Sequence, residues 1–149
     1  MVNNMIKIIC VDKIKEKYLN HLINDYKTRI SKYHKIEIIE LKDRGIDSES
    51  NEILSHLNDK DYNICMDING KEYTSVELSN LINNTFINGY GTITFIIGGS
   101  DGIKDIVKDK CNMKLSFSRL TFPHGLFRGI LLEQIYRSFK IINNETYHK

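Results

Sequence analysis

The chain has 149 residues, 41% hydrophobic and 27% charged, with 21 Lys/Arg against 19 Asp/Glu. That length suits a single domain, taken as residues 1–149, that buries roughly 70% of the surface its unfolded chain would expose. No run approaches the ~18 apolar residues of a membrane helix, and the start lacks a basic-then-apolar leader, so a cytoplasmic protein with no membrane partner is expected.

Residues 1–4 precede Met5, which starts like a complete chain, and they read as a possible extension. Ile6–Val11 is a short apolar run of β-formers, the mark of a buried strand. From Lys15 the apolar residues Tyr18, Leu19, Leu22, Ile23, Tyr26 and Ile30 fall at helical spacing and predict an amphipathic helix. Ile36–Leu41 is the next strand, Asp43–Asn51 a polar loop and Glu52–Leu57 a short helix. Tyr62–Ile68 is a third strand, with Asn69-Gly70 as its turn into a helix. Thr74 and Glu77 form a capping box for that helix, whose inner face is Leu78, Leu81, Ile82 and Phe86. Thr92–Ile97 is a strand that Gly98–Gly102 turns into a helix over 103–110. Leu115–Phe117 is a last short strand, 124–142 the longest helix, and 143–149 a polar tail.

Strand and helix alternate at βαβ spacing, which predicts an α/β fold with a mostly parallel sheet covered on both faces. Ligands of such folds sit outside the carboxyl ends of the strands. Three loops should therefore meet at one crevice: Met66–Gly70, Gly98–Gly102 and Phe117–Pro123.

The chemistry that these loops offer is narrow. Cys10, Cys65 and Cys111 have no Cys-x-x-Cys spacing, so neither a disulfide framework nor a zinc site is expected. No Ser-His-Asp set, no His-Glu-x-x-His and no carboxylate pair near the crevice is apparent, which argues against metal-dependent hydrolysis and glycosidase chemistry. Gly98–Gly102 reads equally as a sharp turn and as a cradle for an anion or a flat ring. Pro123 suits a helix start, with Thr121 as a candidate cap. His124, at that helix N-terminus, is expected to be neutral, and Arg128 shares its face. Arg137 reads as an exposed ion pair with Glu133. Charge is uneven: residues 1–102 hold 12 Lys/Arg and 15 Asp/Glu, whereas 103–149 hold 9 and 4, a basic third suited to an anionic partner. A crevice of glycines, hydroxyls and apolar groups beside a basic helix fits a cofactor with an adenine-like ring and an anionic substrate.

Leu115-Ser-Phe-Ser-x-x-Thr-Phe-Pro-His124, the turn Phe95-Ile-Ile-Gly-Gly-Ser-x-Gly102, the helix Arg128…Glu133-Gln-x-Tyr-Arg137 and the ending Tyr147-His148-Lys149 together resemble the ribosomal large-subunit methyltransferase H family. Lys13-Ile-Lys-Glu-Lys-Tyr18 adds to the resemblance, which spans nearly the whole chain from Met5. It implies a SPOUT-class fold with a C-terminal trefoil knot, a homodimer, and S-adenosylmethionine as cofactor, with S-adenosylhomocysteine as product. The implied reaction methylates N3 of a pseudouridine in helix 69 of 23S rRNA within assembled ribosomes.

By position, the resemblance assigns cofactor contacts to Met66, Gly98, Phe117, Ser118, Arg119, Leu120, Thr121 and Phe122. It assigns catalysis to His148 or His124, and RNA contacts to Arg128, Arg137 and Tyr147. No metal is implied. Three departures stand out: Asp12 where many members carry glycine, Gly129 where a β-branched residue is usual, and a shortened Asp43–Leu57 segment. A ribosome- or RNA-binding module without the reaction, and a flavodoxin-like nucleotide-binding domain, are the other readings of the same pattern.

Overall fold

The computed structural model describes residues 4–149, so residues 1–3 of the expected extension lie outside the described residues. Five strands form one all-parallel sheet in the order β2-β1-β4-β3-β5, with β1 Met5–Val11, β2 Lys35–Leu41, β3 Tyr62–Glu72, β4 Thr92–Ile96 and β5 Met113–Ser116. The helices are α1 Lys17–Ser31, α2 Ile46–His56, α3 Ser75–Ile87, α4 Asp105–Lys108 and α5 His124–Ile142. Alternate strand residues face opposite sides. Ile6, Ile8, Ile64, Ile93, Phe95 and Leu115 pack under α1, α3 and α5, while Ile9, Leu41 and Ile96 pack under Ile53 of α2 and Val107 of α4. The sheet is thus covered on both faces, as the near-continuous apolar strands require.

Most elements fall where the pattern puts them, and the exceptions have local causes. The capping box forms: Glu77 N–H donates to Thr74 Oγ1 at 3.1 Å, and Thr74 N–H to Glu77 Oε1 at 2.8 Å. Tyr18, expected in the apolar stripe of α1, is instead 71% exposed. Asp43–Asn51 is not wholly a loop, because α2 begins at Ile46 after Gly45, whose φ of 94° needs glycine. Its first two turns are polar, so periodicity does not reveal them. Asn69-Gly70 is not a strand-to-helix turn. β3 runs on to Glu72, pairing again with β5 after a register shift between Met66 and Lys71. Gly70 permits this, since a Cβ there would stand 2.7–2.8 Å from the backbone of Lys114 and Leu115. The helix expected over 103–110 shrinks to four residues, and the strand expected at 115–117 shifts to 113–116.

At the amino ends of the strands, His34 packs against Phe86 and Phe139, with ring centroids 5.3 and 4.9 Å away. Burial pushes its pKa below the ordinary 6.5. As the pH falls from about 6.5 toward the folded value, the unfolded chain binds more protons than the folded one, so stability must fall across that window. His34→Leu is expected to flatten this part of the stability-versus-pH curve relative to the parent, measured by urea unfolding from pH 7.5 to 5.

Candidate functional site

Because every strand is parallel, all carboxyl ends lie on one edge, and β4, β3 and β5 are neighbours there. The loops after β4 and β5, with the irregular stretch Met66–Asn69 inside β3, enclose a cavity of about 490 Å³, within the range of ordinary ligand sites. Met66, Ile97, Gly98–Ile103, Leu115–Ser118, Leu120, Thr121, Phe122 and Phe127 form most of its wall. Of the residues assigned to the cofactor, Met66, Gly98, Phe117, Ser118, Leu120, Thr121 and Phe122 lie on it. Arg119 does not: its side chain is 88% exposed, 3.9 Å from Glu72.

The wall is built from local rules. Ser118 Oγ accepts from Leu120 N–H at 2.9 Å, and Ser116 Oγ donates to the Ser118 carbonyl at 3.1 Å, folding the loop after β5 back on itself. Phe127 stands 5.7 Å from Phe117 and 6.1 Å from Phe122, nearly parallel to the latter ring at 14°. Gly98 is glycine because of its own turn. A Cβ there would meet Ile103 Cγ1 at 2.5 Å and the Gly102 carbonyl oxygen at 2.8 Å.

Two carboxylates that the sequence reading missed also line the cavity, Asp67 and Asp101. Asp67 lies 3.1 Å from the Lys108 ammonium, which is on the wall too, and accepts from Asn69 N–H at 3.0 Å. Burial works against its charged form, but these partners outweigh burial and hold its pKa below the usual carboxylate value. Asp67 directly follows the apolar run that ends at Met66, where β3 loses its regular pairing with β5, and that placement is the signal that could have identified it.

His124 and Arg128 are not on the cavity wall. His124 Nε2 lies 2.7 Å from the Val11 carbonyl, and a carbonyl only accepts, so Nε2 carries the proton. α5 starts at His124 with Pro123 as its N-cap residue and no side-chain cap, so Thr121 does not cap it. Arg128, expected to face the RNA, is 1% exposed. Its guanidinium donates to Glu40 Oε2 at 2.6 Å, the Asp12 carbonyl at 2.9 Å and the Val11 carbonyl at 3.3 Å. Arg128 thus acts as an internal anchor in this structure, and a phosphate could reach its guanidinium only by displacing Glu40.

Arg137, Tyr147 and His148 gather further along α5. Arg137 Nε donates to Glu133 at 2.9 Å, its guanidinium lies 4.9 Å from the Tyr147 ring, and its Nη1 donates to His148 Nδ1 at 3.0 Å. The Arg137–Glu133 pair is partly buried rather than exposed, with 25% and 18% of the two side chains accessible. The tail is docked: Tyr147 bonds Tyr26 at 3.2 Å, and Tyr33 donates to Glu145 at 2.6 Å. Burial and the Tyr26 bond push the Tyr147 phenol up to about 12. Arg137 is ten residues beyond Phe127, about 15 Å along an α-helix.

Among the described residues no helix is long and apolar enough to cross a membrane. Nor does any group of three or more His, Cys, Asp or Glu among them suit a metal ion. Cys10, Cys65 and Cys111 are free, and burial pushes the Cys10 thiol up to about 12.

A family model described as "Predicted SPOUT methyltransferase" matches residues 5–148. The chain is 48% identical over 157 residues to the ribosomal RNA large subunit methyltransferase H of Clostridium botulinum strain Langeland, covering 97% of this chain and 99% of that one. It is 49% identical, with the same coverage, to the putative ribosomal RNA large subunit methyltransferase H of Methanococcus maripaludis strain C5. Among solved structures, a probable methylase family protein from Haemophilus influenzae Rd KW20 shares the fold, with a TM-score of 0.59 at 12% identity, over 100% of this chain and 72% of that one. The tRNA (m1G37) methyltransferase of Aquifex aeolicus gives 0.51 at 14%, over 90% and 70%.

Proposed function

This chain belongs to the SPOUT methyltransferase family, in its ribosomal RNA large-subunit methyltransferase H branch, and on that premise we propose that it methylates N3 of the helix 69 pseudouridine of 23S rRNA in assembled ribosomes, with S-adenosylmethionine as methyl donor. One observation carries the reading: seven of the eight residues that the resemblance assigns to the cofactor wall a single cavity at the strand ends.

That cavity fits the cofactor. Its ~490 Å³ suits a nucleoside-sized ligand, its rings and aliphatic side chains suit a flat base, and Asp67 and Lys108 suit the charged ends of an amino acid. When bound, S-adenosylmethionine supplies an electrophilic methyl group. Met66, Leu115, Phe117 and Phe122 would exclude water from it, and Ser118 would hold the loop shut over it.

N3 of the base loses its proton as the N–C bond forms, so a base is needed nearby. His124 and His148 are the candidates. The Arg137 guanidinium has no lone pair, so His148 Nδ1 must accept from it, and the neutral ring then presents N–H rather than a lone pair at Nε2. For His148 to take the proton, Arg137 must turn away from it, toward an RNA phosphate or the charge developing on the base. His148 does not line the cavity of its own chain and bonds Arg137, about 15 Å of helix beyond Phe127, so we further propose a homodimer in which the tail of one copy serves the cavity of the other. The knot expected of the C-terminal segment is part of the same proposal.

The test is to incubate the protein with labelled S-adenosylmethionine and ribosomes that lack this methylation. Label is expected on the helix 69 pseudouridine of assembled ribosomes and not of free 23S rRNA; no label in either sinks the proposal. Calorimetry with S-adenosylmethionine separates it from a non-enzymatic ribosome-binding module, which would show no heat of binding.

A further inference from the structure

We infer that Glu40 is a positioning residue for the cavity, acting through Arg128; the inference rests on the cavity being the cofactor site. Glu40 is the penultimate residue of the edge strand β2, and neither it nor β2 lines the cavity. Its carboxylate, with 40% of the side chain accessible, reaches a guanidinium of which 2% is accessible. A buried guanidinium needs a counter-charge, since carbonyl dipoles alone do not offset its desolvation. Glu40 is the carboxylate within ion-pair distance of Arg128, at 2.6 Å.

Held this way, Arg128 also donates to the Val11 and Asp12 carbonyls at the end of β1. His124, one turn earlier on α5, donates to the same Val11 carbonyl. Two side chains thus clamp the first turn of α5 to β1. Gly125 lies between them, and a Cβ there would stand 2.9 Å from Leu19 Cδ1, so the turn is also pressed against α1. Phe127 departs from this clamped turn toward the cavity, where it backs Phe117 and Phe122. The chain of contacts runs from Glu40 to Arg128, to the first turn of α5, to Phe127, to the cofactor loop. Nothing in it involves contact between Glu40 and the ligand, so its effect must come through geometry.

A purely structural ion pair would lower the melting temperature and leave the folded cavity as it was. A positioning pair loosens the cavity while the protein remains folded, and small misplacements of binding groups are costly. Glu40→Ala, Glu40→Gln and a control, Ile30→Ala, are compared well below their melting temperatures. Ile30 is fully buried in α1 and does not line the cavity, so its loss destabilises without touching the wall.

Glu40→Ala is expected to weaken S-adenosylmethionine binding about tenfold by calorimetry, with Glu40→Gln in between because it keeps an acceptor but not the charge, and Ile30→Ala unchanged. In the ligand-free protein, amides of residues 117–127 should exchange with deuterium faster in Glu40→Ala and not in Ile30→Ala. Parent-like affinity and exchange in Glu40→Ala, or equal changes in Ile30→Ala, overturn the inference. Should Glu40→Ala not fold, parent-like values in Glu40→Gln do the same. A parent protein that binds no S-adenosylmethionine overturns the reading of the cavity instead, and the exchange measurement then still decides whether Glu40 holds the loop.

Discussion

Gly98→Ala is expected to lower the melting temperature by about 5 °C and to weaken S-adenosylmethionine binding at least about tenfold. The added Cβ would meet Ile103 Cγ1 at 2.5 Å and the Gly102 carbonyl oxygen and carbon at 2.8 and 2.9 Å. The side-chain atom can move aside, but the backbone carbonyl cannot move without opening the whole 98–103 turn. Overpacking of this kind costs about 1–3 kcal/mol, and a chain of this length loses roughly 2–4 °C per kcal/mol. The affinity loss has a separate cause: that turn is itself cavity wall, so a shift of about 1 Å that relieves the clash also moves the binding surface. Thermal unfolding and calorimetry read the two effects independently. A normal melting temperature with normal affinity would mean that the turn yields freely and that Gly98 is not needed there.

The elements with strong periodicity were legible from the residues, and so was the convergence of three segments, because parallel strands put all carboxyl ends on one edge; one of them, Met66–Gly70, is a bulged stretch of β3 and not the expected loop. Features set by distant partners were not. The spacing of His124 and Arg128 places them on one face of α5, and they do share a target. That target, the Val11 carbonyl, is more than a hundred positions away, and only the fold reveals that the face is turned inward. An arginine on a helix beside a loop reads as surface until its counter-ion is seen. The same holds for β3, whose extension past Ile68 depends on β5 arriving alongside Gly70.

Two of the three departures from the family pattern acquire physical meaning in the same way. Asp12 has a φ of 72°, the left-handed region where glycine is at ease and aspartate is tolerated. Gly129 stands where a Cβ would be 2.5 Å from Leu22 Cδ2, so Leu22 fills the space that a larger residue there would need.

His148→Ala is expected to cut methyl transfer about a hundredfold or more, the usual scale for losing a general acid or base, while leaving S-adenosylmethionine affinity at the parent value. Both parts follow from where the tail lies. His148 is tied to Arg137 and Tyr147 to Tyr26, on the far half of α5, so truncating His148 leaves every wall of the cavity in place. A loss of cofactor binding would contradict that placement.

The same geometry makes a stronger demand. About 15 Å of helix separates Phe127 at the cavity from Arg137, so the histidine that serves a given cavity should come from another copy of the chain. Mixing His148→Ala with Gly98→Ala, at an S-adenosylmethionine concentration that leaves the Gly98→Ala cavity nearly empty, and allowing the subunits to exchange should then restore activity. In the mixed dimer the His148→Ala copy contributes an intact cavity and the Gly98→Ala copy an intact tail, while the second site of that dimer carries both defects. With random exchange half of all dimers are mixed, each with one working site of two, and activity should approach a quarter of the parent value. If cavity and tail of one chain worked together, every site in the mixture would carry one defect or the other, and exchange would restore nothing.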